Sequence, residues 1–441
     1  MKPTFFLAGC LAVSLLAVSR AQTLDTDTLD TFLDRLASKQ KGMGSLAILK
    51  DGQPVYRHAF GYSFVDGEDR RPATTSTKYR IASITKTYTA VMIYQLVEEG
   101  RLTLGDTLDR FFPQIPNASR ITVAQILGHR SGIHDLEADG SWGKQARTKD
   151  EIVARIAQGQ PDFEPDTQHR YSNAGYILLG DIVERAGGQP YREALTARIT
   201  SKLGLHDTYF LDSGTADAGR NESLSYRYIG GFKEAAELDF SVPGGAGSIV
   251  STPTDMAVFI QALFDLKLVS KDRLAQMSTM RDGEGMGMEP FSFAGLTCLG
   301  HTGGSGSSGA WLMYCPADRL ALAYATNMKI YPVVDIVRGI VDVYRHRAFE
   351  VPTFEAVQVS PEVLDRYVGV YSAPGAPVKL TITRQGSTLY FQPGTQSAVP
   401  LEATAQDAFK IDPGVFFTFD AANRQMTIKR PNGERVFTKE P

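Results

Sequence analysis

Strand-like sequence stands at both ends of the first 350 residues and helical sequence lies between, which restricts the chain to a sheet assembled from distant segments and covered by helices. Leu46 to Lys50 and Gln53 to Tyr62 alternate as strands around Asp51-Gly52, a strong hairpin turn. Segments rich in Ala, Leu and Ile follow and predict helices over Ser83 to Glu99, Thr122 to Leu127, Tyr176 to Ala186 and Thr254 to Leu263. Strand character returns at Leu296 to Thr302, Gly309 to Tyr314 and Leu320 to Thr326. A linker with two prolines and no period runs from Phe349 to Pro361.

Beyond the linker the pattern changes to short alternating runs. They are Tyr367 to Tyr371, Val378 to Thr383, Thr388 to Gln392, Phe409 to Ile411, Val415 to Phe419, Gln425 to Lys429 and Arg435 to Thr438. Turn pairs Gln385-Gly386 and Asn432-Gly433 separate some of them, and the even spacing predicts a small antiparallel barrel or sandwich. The organisation is therefore an export signal over 1–21, a mixed α/β unit over 22–350 and an all-β unit over 351–441.

The signal reading rests on Lys2, an apolar run from Phe5 to Val18 too short to span a bilayer, and small residues at Ser19 and Ala21. It places the protein in the periplasm or outside the cell. Leu7-Ala8-Gly9-Cys10 offers a rival reading, a lipoprotein box anchored through Cys10 that leaves most of the apolar run on the mature side. No later segment is apolar and long enough to span a membrane. A formal net charge of −3 without blocks of like charge gives no basis for nucleic acid or an anionic membrane as partner. Cys298 and Cys315 remain after the signal; they either pair across adjacent strands or stay as buried thiols.

Three strings carry chemistry. Ser83-Ile84-Thr85-Lys86 opens a helix whose next stretch, Tyr88 to Val97, is free of charge. A lysine one turn from the serine reaches its hydroxyl. In the first helical turn the dipole and burial both favour the neutral amine, a better base. The plain reading is an N-cap serine with a solvated lysine. Ser-x-x-Lys also occurs at Ser38, in a charged helix end, and at Ser141, between glycines; both read as surface. Tyr171-Ser172-Asn173 precedes a helix near Ala174: a phenol whose pKa a nearby lysine would lower and an amide that donates and accepts, or simply an N-cap and packing. His301-Thr302-Gly303-Gly304 ends a strand where glycines admit another backbone, or is merely a glycine-rich hairpin with Ser305 to Gly309. No Gly-x-Ser-x-Gly elbow and no His-Glu-x-x-His are present, and His129, His134 and Asp135 have no common zinc spacing.

The ordered set resembles the penicillin-recognising serine hydrolases, in the branch of class C β-lactamases, serine D-alanyl-D-alanine carboxypeptidases, D-aminopeptidases and related esterases. The resemblance covers Leu24 to His346 and extends to Gln125 to Ile133 and Gly244 to Thr252. It implies an antiparallel sheet flanked by helices with an all-α lobe, followed by a lipocalin-like barrel that shapes or covers the mouth of the site. It makes Ser83 the nucleophile, Lys86 its proton-transfer partner and Tyr171 the general base and acid. Asn173 would orient Lys86 and the substrate amide, His301, Thr302 and Gly303 would line the substrate edge, and the N–H groups of Ser83 and Gly304 would form an oxyanion hole. Histidine at 301, where β-lactamases of this branch carry lysine, weakens the pull on an anionic substrate. The expected reaction is hydrolysis of D-amino-acid peptides or small esters through an acyl-enzyme, with no cofactor and no metal. β-Lactam hydrolysis and silent binding of peptides or cell-wall fragments are the alternatives.

Overall fold

In the computed structural model the described residues are 24–135, 145–355, 357–396, 398–411, 415–430 and 433–441. The export signal and Ser141 lie outside them.

A six-stranded antiparallel sheet forms the frame of the larger unit. Its strands are β1 (Gly42–Lys50), β2 (Gln53–Phe60), β3 (Glu289–Phe293), β4 (Leu296–Ser305), β5 (Ser308–Cys315) and β6 (Leu320–Lys329). They run across the sheet in the order β3-β4-β5-β6-β1-β2, so the two ends of the α/β sequence do meet at its centre. The predicted strands are therefore present; four run a few residues longer than their apolar pattern, while the Gln53 to Tyr62 run stops at Phe60. Both faces of the central strands are covered. Leu46, Ile48, Trp311, Met313, Leu322 and Tyr324 point to one core, where α1 (Thr26–Ser38) and the helix Val333–Tyr344 pack. Ala47, Leu49, Leu312, Ala321, Ala323 and Ala325 point to the other.

That second face is rich in alanine on β6, which lets the helix Pro253–Phe264 lie close against the sheet. Beyond it sits α2 (Thr85–Glu98), buried from Thr85 to Leu96, so a helix buried on every side carries the one lysine of its first turn inside the protein. A lobe of helices, including Val123–Leu127, Lys149–Gln158 and α3 (Asn173–Gly187), covers its remaining side. Gly180 of α3 and Gly245 meet backbone to backbone: a Cβ on Gly245 would lie 2.7 Å from the Gly180 Cα. Cys298 and Cys315 are joined in a disulfide between neighbouring strands β4 and β5.

The C-terminal strands close into an eight-stranded antiparallel barrel running from Gly369–Ser372 to Gly433–Lys439, with Tyr371 opposite Lys439 at the seam. Alternation fills its interior with Ile382, Leu389, Phe391, Phe409, Phe417 and Phe419. Seven of these strands follow the predicted runs; the eighth, Val399–Ala405, does not, because Pro400, Glu402 and two alanines give it little strand character.

Gly245→Ala is expected to cost ~1–3 kcal/mol by overpacking against α3, read as a lower melting temperature, with Gly105→Ala, whose Cβ would meet only Thr103 Oγ1 at 3.9 Å, as the comparison for an unhindered glycine.

Candidate active site

Ser83 lies in a single 3₁₀ turn, Ala82–Ile84, that leads directly into α2. Ala82 has φ +45°, a left-handed backbone that costs a residue with a side chain ~1–3 kcal/mol. The turn is held from across the sheet by β4. A Cβ on Gly303 would stand 2.1 Å from the Ile81 carbonyl oxygen and 3.4 Å from the Ser83 nitrogen, so only glycine brings the strand this near. Ser83 does not cap the helix. Its hydroxyl faces Lys86 instead, whose Nζ donates to Ser83 Oγ at 2.9 Å.

Lys86 has no solvent exposure, and its Nζ also donates to Asn173 Oδ1 at 2.6 Å and to the Ala246 carbonyl at 3.0 Å. Asn173 Oδ1 and the Ala246 carbonyl can only accept from it, whereas the Ser83 hydroxyl can accept from the amine or donate to it. Each comes from a different part of the chain. Asn173 is free to accept because Ser172, not Asn173, caps α3, its hydroxyl taking the Gly175 N–H at 3.3 Å. The amide nitrogen of Asn173 donates to the buried Asp135 at 3.2 Å, which fixes the flip of the group. Ala246 is delivered by the contact between Gly180 and Gly245.

Tyr171 stands over the same amine, its ring centroid 4.8 Å from Lys86 Nζ. Its phenol differs from the sequence expectation: burial pushes the pKa up, and the hydrogen bond with the Ser83 side chain pulls the other way without matching it. The ring stacks on His129 at 4.4 Å. His129 is buried, accepts the Ser172 N–H on Nδ1 at 3.1 Å, and so carries its proton on Nε2, facing Glu284 at 3.8 Å. Burial, then the positive charge of Lys86, holds its pKa well below 6.5.

His301 is also buried, at 2 % exposure, rather than presented to an incoming ligand. Its Nδ1 donates to the Thr302 carbonyl at 2.6 Å, and burial lowers its pKa against the opposing pull of Glu289. Glu289 also accepts the N–H and the hydroxyl of Thr302 at 3.1 and 3.0 Å. Thr302 therefore orders the strand from within.

A small cleft, about 40 Å³, opens in front of Ser83, lined by Arg80, Asn173, Leu238, Gly247, Gly304 and Ser305 among others. The backbone at Ser83 and Gly304 thus faces one space, and among the described residues none of the barrel lines it. Glu237 governs that lining from behind. Buried, it accepts from Arg80 at 3.1 Å and from Ser308 Oγ at 2.9 Å, tying the hairpin after Gly304 to the segment that carries Leu238. Two segments between the predicted elements, 223–239 and 281–295, carry strands of their own. The first holds a small hairpin, Tyr226–Tyr228 with Phe232–Glu234, and the second holds β3.

Asp135, Glu237, Glu284, Glu289 and the Ala246 carbonyl were missed as site groups, since an acidic residue in a loop or a backbone oxygen bears no motif. Only the glycine pair Gly244-Gly245 signalled the last. Among the described residues no group of His, Cys, Asp or Glu is arranged to hold a metal, and no helix is long and apolar enough to cross a membrane.

Sheet, helical lobe and serine-centred cleft define the class, a serine hydrolase of the penicillin-recognising fold. The chain belongs to the beta-lactamase family, whose model matches residues 30–339. It is 25% identical over 413 residues to penicillin-binding protein 4* of Bacillus subtilis, covering 86% of this chain and 90% of that protein. It is 26% identical over 244 residues to teichoic acid D-alanine hydrolase of Staphylococcus aureus, a match spanning 54% of this chain and only 58% of that relative. Among solved structures, D-amino acid amidase from Ochrobactrum anthropi in complex with D-phenylalanine superposes with a TM-score of 0.67 at 26% identity, over 73% of this chain and 99% of that one. The octameric penicillin-binding protein homologue from Pyrococcus abyssi, at 24% identity and TM-score 0.64, shares the fold over 94% of this chain and 100% of its own.

The two buried histidines set an acid limit. A histidine whose folded pKa lies below its unfolded value binds fewer protons in the native state, so stability rises with pH across that interval. Melting temperature is expected to fall as pH drops below 6.5, the ordinary histidine value, and His129→Gln is expected to flatten that dependence. An unchanged slope in the variant would remove His129 as a source.

Proposed function

We propose that the protein is an exported serine hydrolase that acts through an acyl-enzyme on D-amino-acid amides, peptides or esters. The observation that carries this reading is the Lys86 amine 2.9 Å from Ser83 Oγ, beside a cleft that also meets the backbone of Gly304. Relatives named for D-alanine or D-amino acid hydrolysis support the substrate class. The Cys298–Cys315 disulfide supports an oxidising compartment and hence export.

Ser83 Oγ attacks the acyl carbon, and the carbonyl oxygen takes negative charge between the N–H groups of Ser83 and Gly304. The resting phenol of Tyr171 is neutral, its pKa raised by burial, so it does not begin as a free base. Tyr171 works as a shuttle: it accepts the Ser83 proton as it gives its own to the departing amine or alkoxide, and net charge does not change. Lys86 supports each partial charge along that path without leaving its three oxygen partners. The Ser83–acyl bond forms as the acyl–leaving-group bond breaks, and water retraces the route to release the acid. Tyr171, Lys86 and Asn173 thus act as a unit.

β-Lactam turnover ranks below the other substrates, because His301 is buried and neutral where a cation would hold the β-lactam carboxylate. A panel of p-nitrophenyl acetate, D-phenylalanine amide, a D-alanyl-D-alanine peptide and nitrocefin tests these claims. Turnover is expected with the ester and at least one D-amino-acid compound, nitrocefin slowest, and Ser83→Ala and Lys86→Met are each expected to lower it by ~10³-fold or more. Full activity in Ser83→Ala would exclude this nucleophile, and a folded wild type inert on the whole panel would favour a silent binder.

A further inference from the structure

The hairpin that carries Gly304 has two sides, and only one belongs to the cleft before Ser83. Gly303 presses on Ile81 and Ser83; its neighbours Gly304 and Gly309, paired across the hairpin, face the opposite way. On that side the Lys329 stem lies along Gly309, where a Cβ would come within 2.9 Å of its Cδ, and its Nζ reaches to 3.6 Å from where a Gly304 Cβ would stand. The ammonium therefore sits on the back of the same backbone unit that faces the nucleophile.

A second and larger cleft, of about 870 Å³, opens there between the hairpin and the barrel. Four cations line it: Lys41, Arg227, Lys329 and Lys410. The two carboxylates in its wall are already engaged, Glu402 by Lys41 and Lys410 and Asp335 by Arg338. Among the described residues neither Lys329 nor Arg227 has a carboxylate within ion-pair distance, and Glu237 acts on Lys329 only at longer range. Lys329 is half-buried, and burial draws its pKa below the ordinary lysine value. A half-buried cation without a counter-ion, in a cleft with a surplus of positive charge and room for several groups, is the chemistry of an anion site. Exposed Phe416 of the barrel and Tyr331 add apolar faces beside it.

We propose that this second cleft binds a chain of anionic groups, phosphates or carboxylates, through Lys329 and Arg227, and so holds a polyanionic ligand against the back of the hairpin that faces Ser83. Such a site lets an acidic polymer remain bound while the groups it bears reach the reactive serine one after another.

Fluorescence anisotropy with a fluorescein-labelled oligo-L-glutamate, competed by a short sodium polyphosphate, tests this on the full chain carrying Ser83→Ala, so that the result is independent of any turnover. Arg227→Ala and Lys329→Gln are each expected to weaken binding about tenfold, in line with the loss of one charge-assisted contact. Arg227→Lys and Lys329→Arg are expected to retain it, and added salt to weaken it. Displacement by polyphosphate at lower concentration than by unlabelled oligo-glutamate would support the site and assign phosphate; the reverse order would support it and assign carboxylate. Equal affinity in the Arg227→Ala/Lys329→Gln double variant, or an equal loss from the remote exposed Lys267→Ala, would overturn it.

Discussion

One buried lysine organises this molecule. Lys86 lies inside a helix with no access to water, and oxygens on Ser83, Asn173 and Ala246 hold its amine there. Those oxygens come from the start of α2, the start of α3 and the turn after Gly245. Each has its own anchor: the Ser83 turn is clamped by Gly303, Asn173 is held by Asp135, and Ala246 follows the glycine contact with α3. The stability of the helical lobe and the placement of Ser83 are thus the same set of contacts seen twice. Removing one acceptor leaves a buried amine short of a partner, which is costlier than an ordinary lost hydrogen bond.

Much of the frame was legible in the sequence because it follows from period and punctuation. The central strands of the sheet, the charge-free stretch after Lys86 and seven strands of the barrel all announce themselves by alternation or by uninterrupted apolar runs. The strand Val399–Ala405 did not, since its place in the barrel is set by neighbours on both sides and not by its own residues. Element starts shifted for a local reason: Ser172 wins the capping role near α3, which moves the helix start by a residue and releases Asn173.

The site was half legible. Ser83, Lys86, Tyr171, Asn173 and the glycines of β4 lie together as their spacing and family resemblance implied. What sequence could not supply is the medium around them. Tyr171 was read with a lowered pKa from its expected neighbour, yet burial dominates that neighbour's influence. His301 was read as a group facing the substrate edge, yet it turns inward onto Thr302 and Glu289. Dielectric surroundings are a property of packing, and no motif encodes them. Among the described residues the barrel likewise does not roof the Ser83 cleft; it stands behind the hairpin.

Glu237 binds the two halves of this arrangement into one lever. The segment around it walls the cleft through Leu238 and also fixes Ser308, the residue facing Ser305 across the hairpin. Any drift in that segment over evolutionary time therefore reshapes the cleft and moves the hairpin after Gly304 together. The shape of the Ser83 cleft and the position of the Gly304 backbone are geared to each other, and an engineer who wishes to alter one must rebuild the linkage before the other can be left alone.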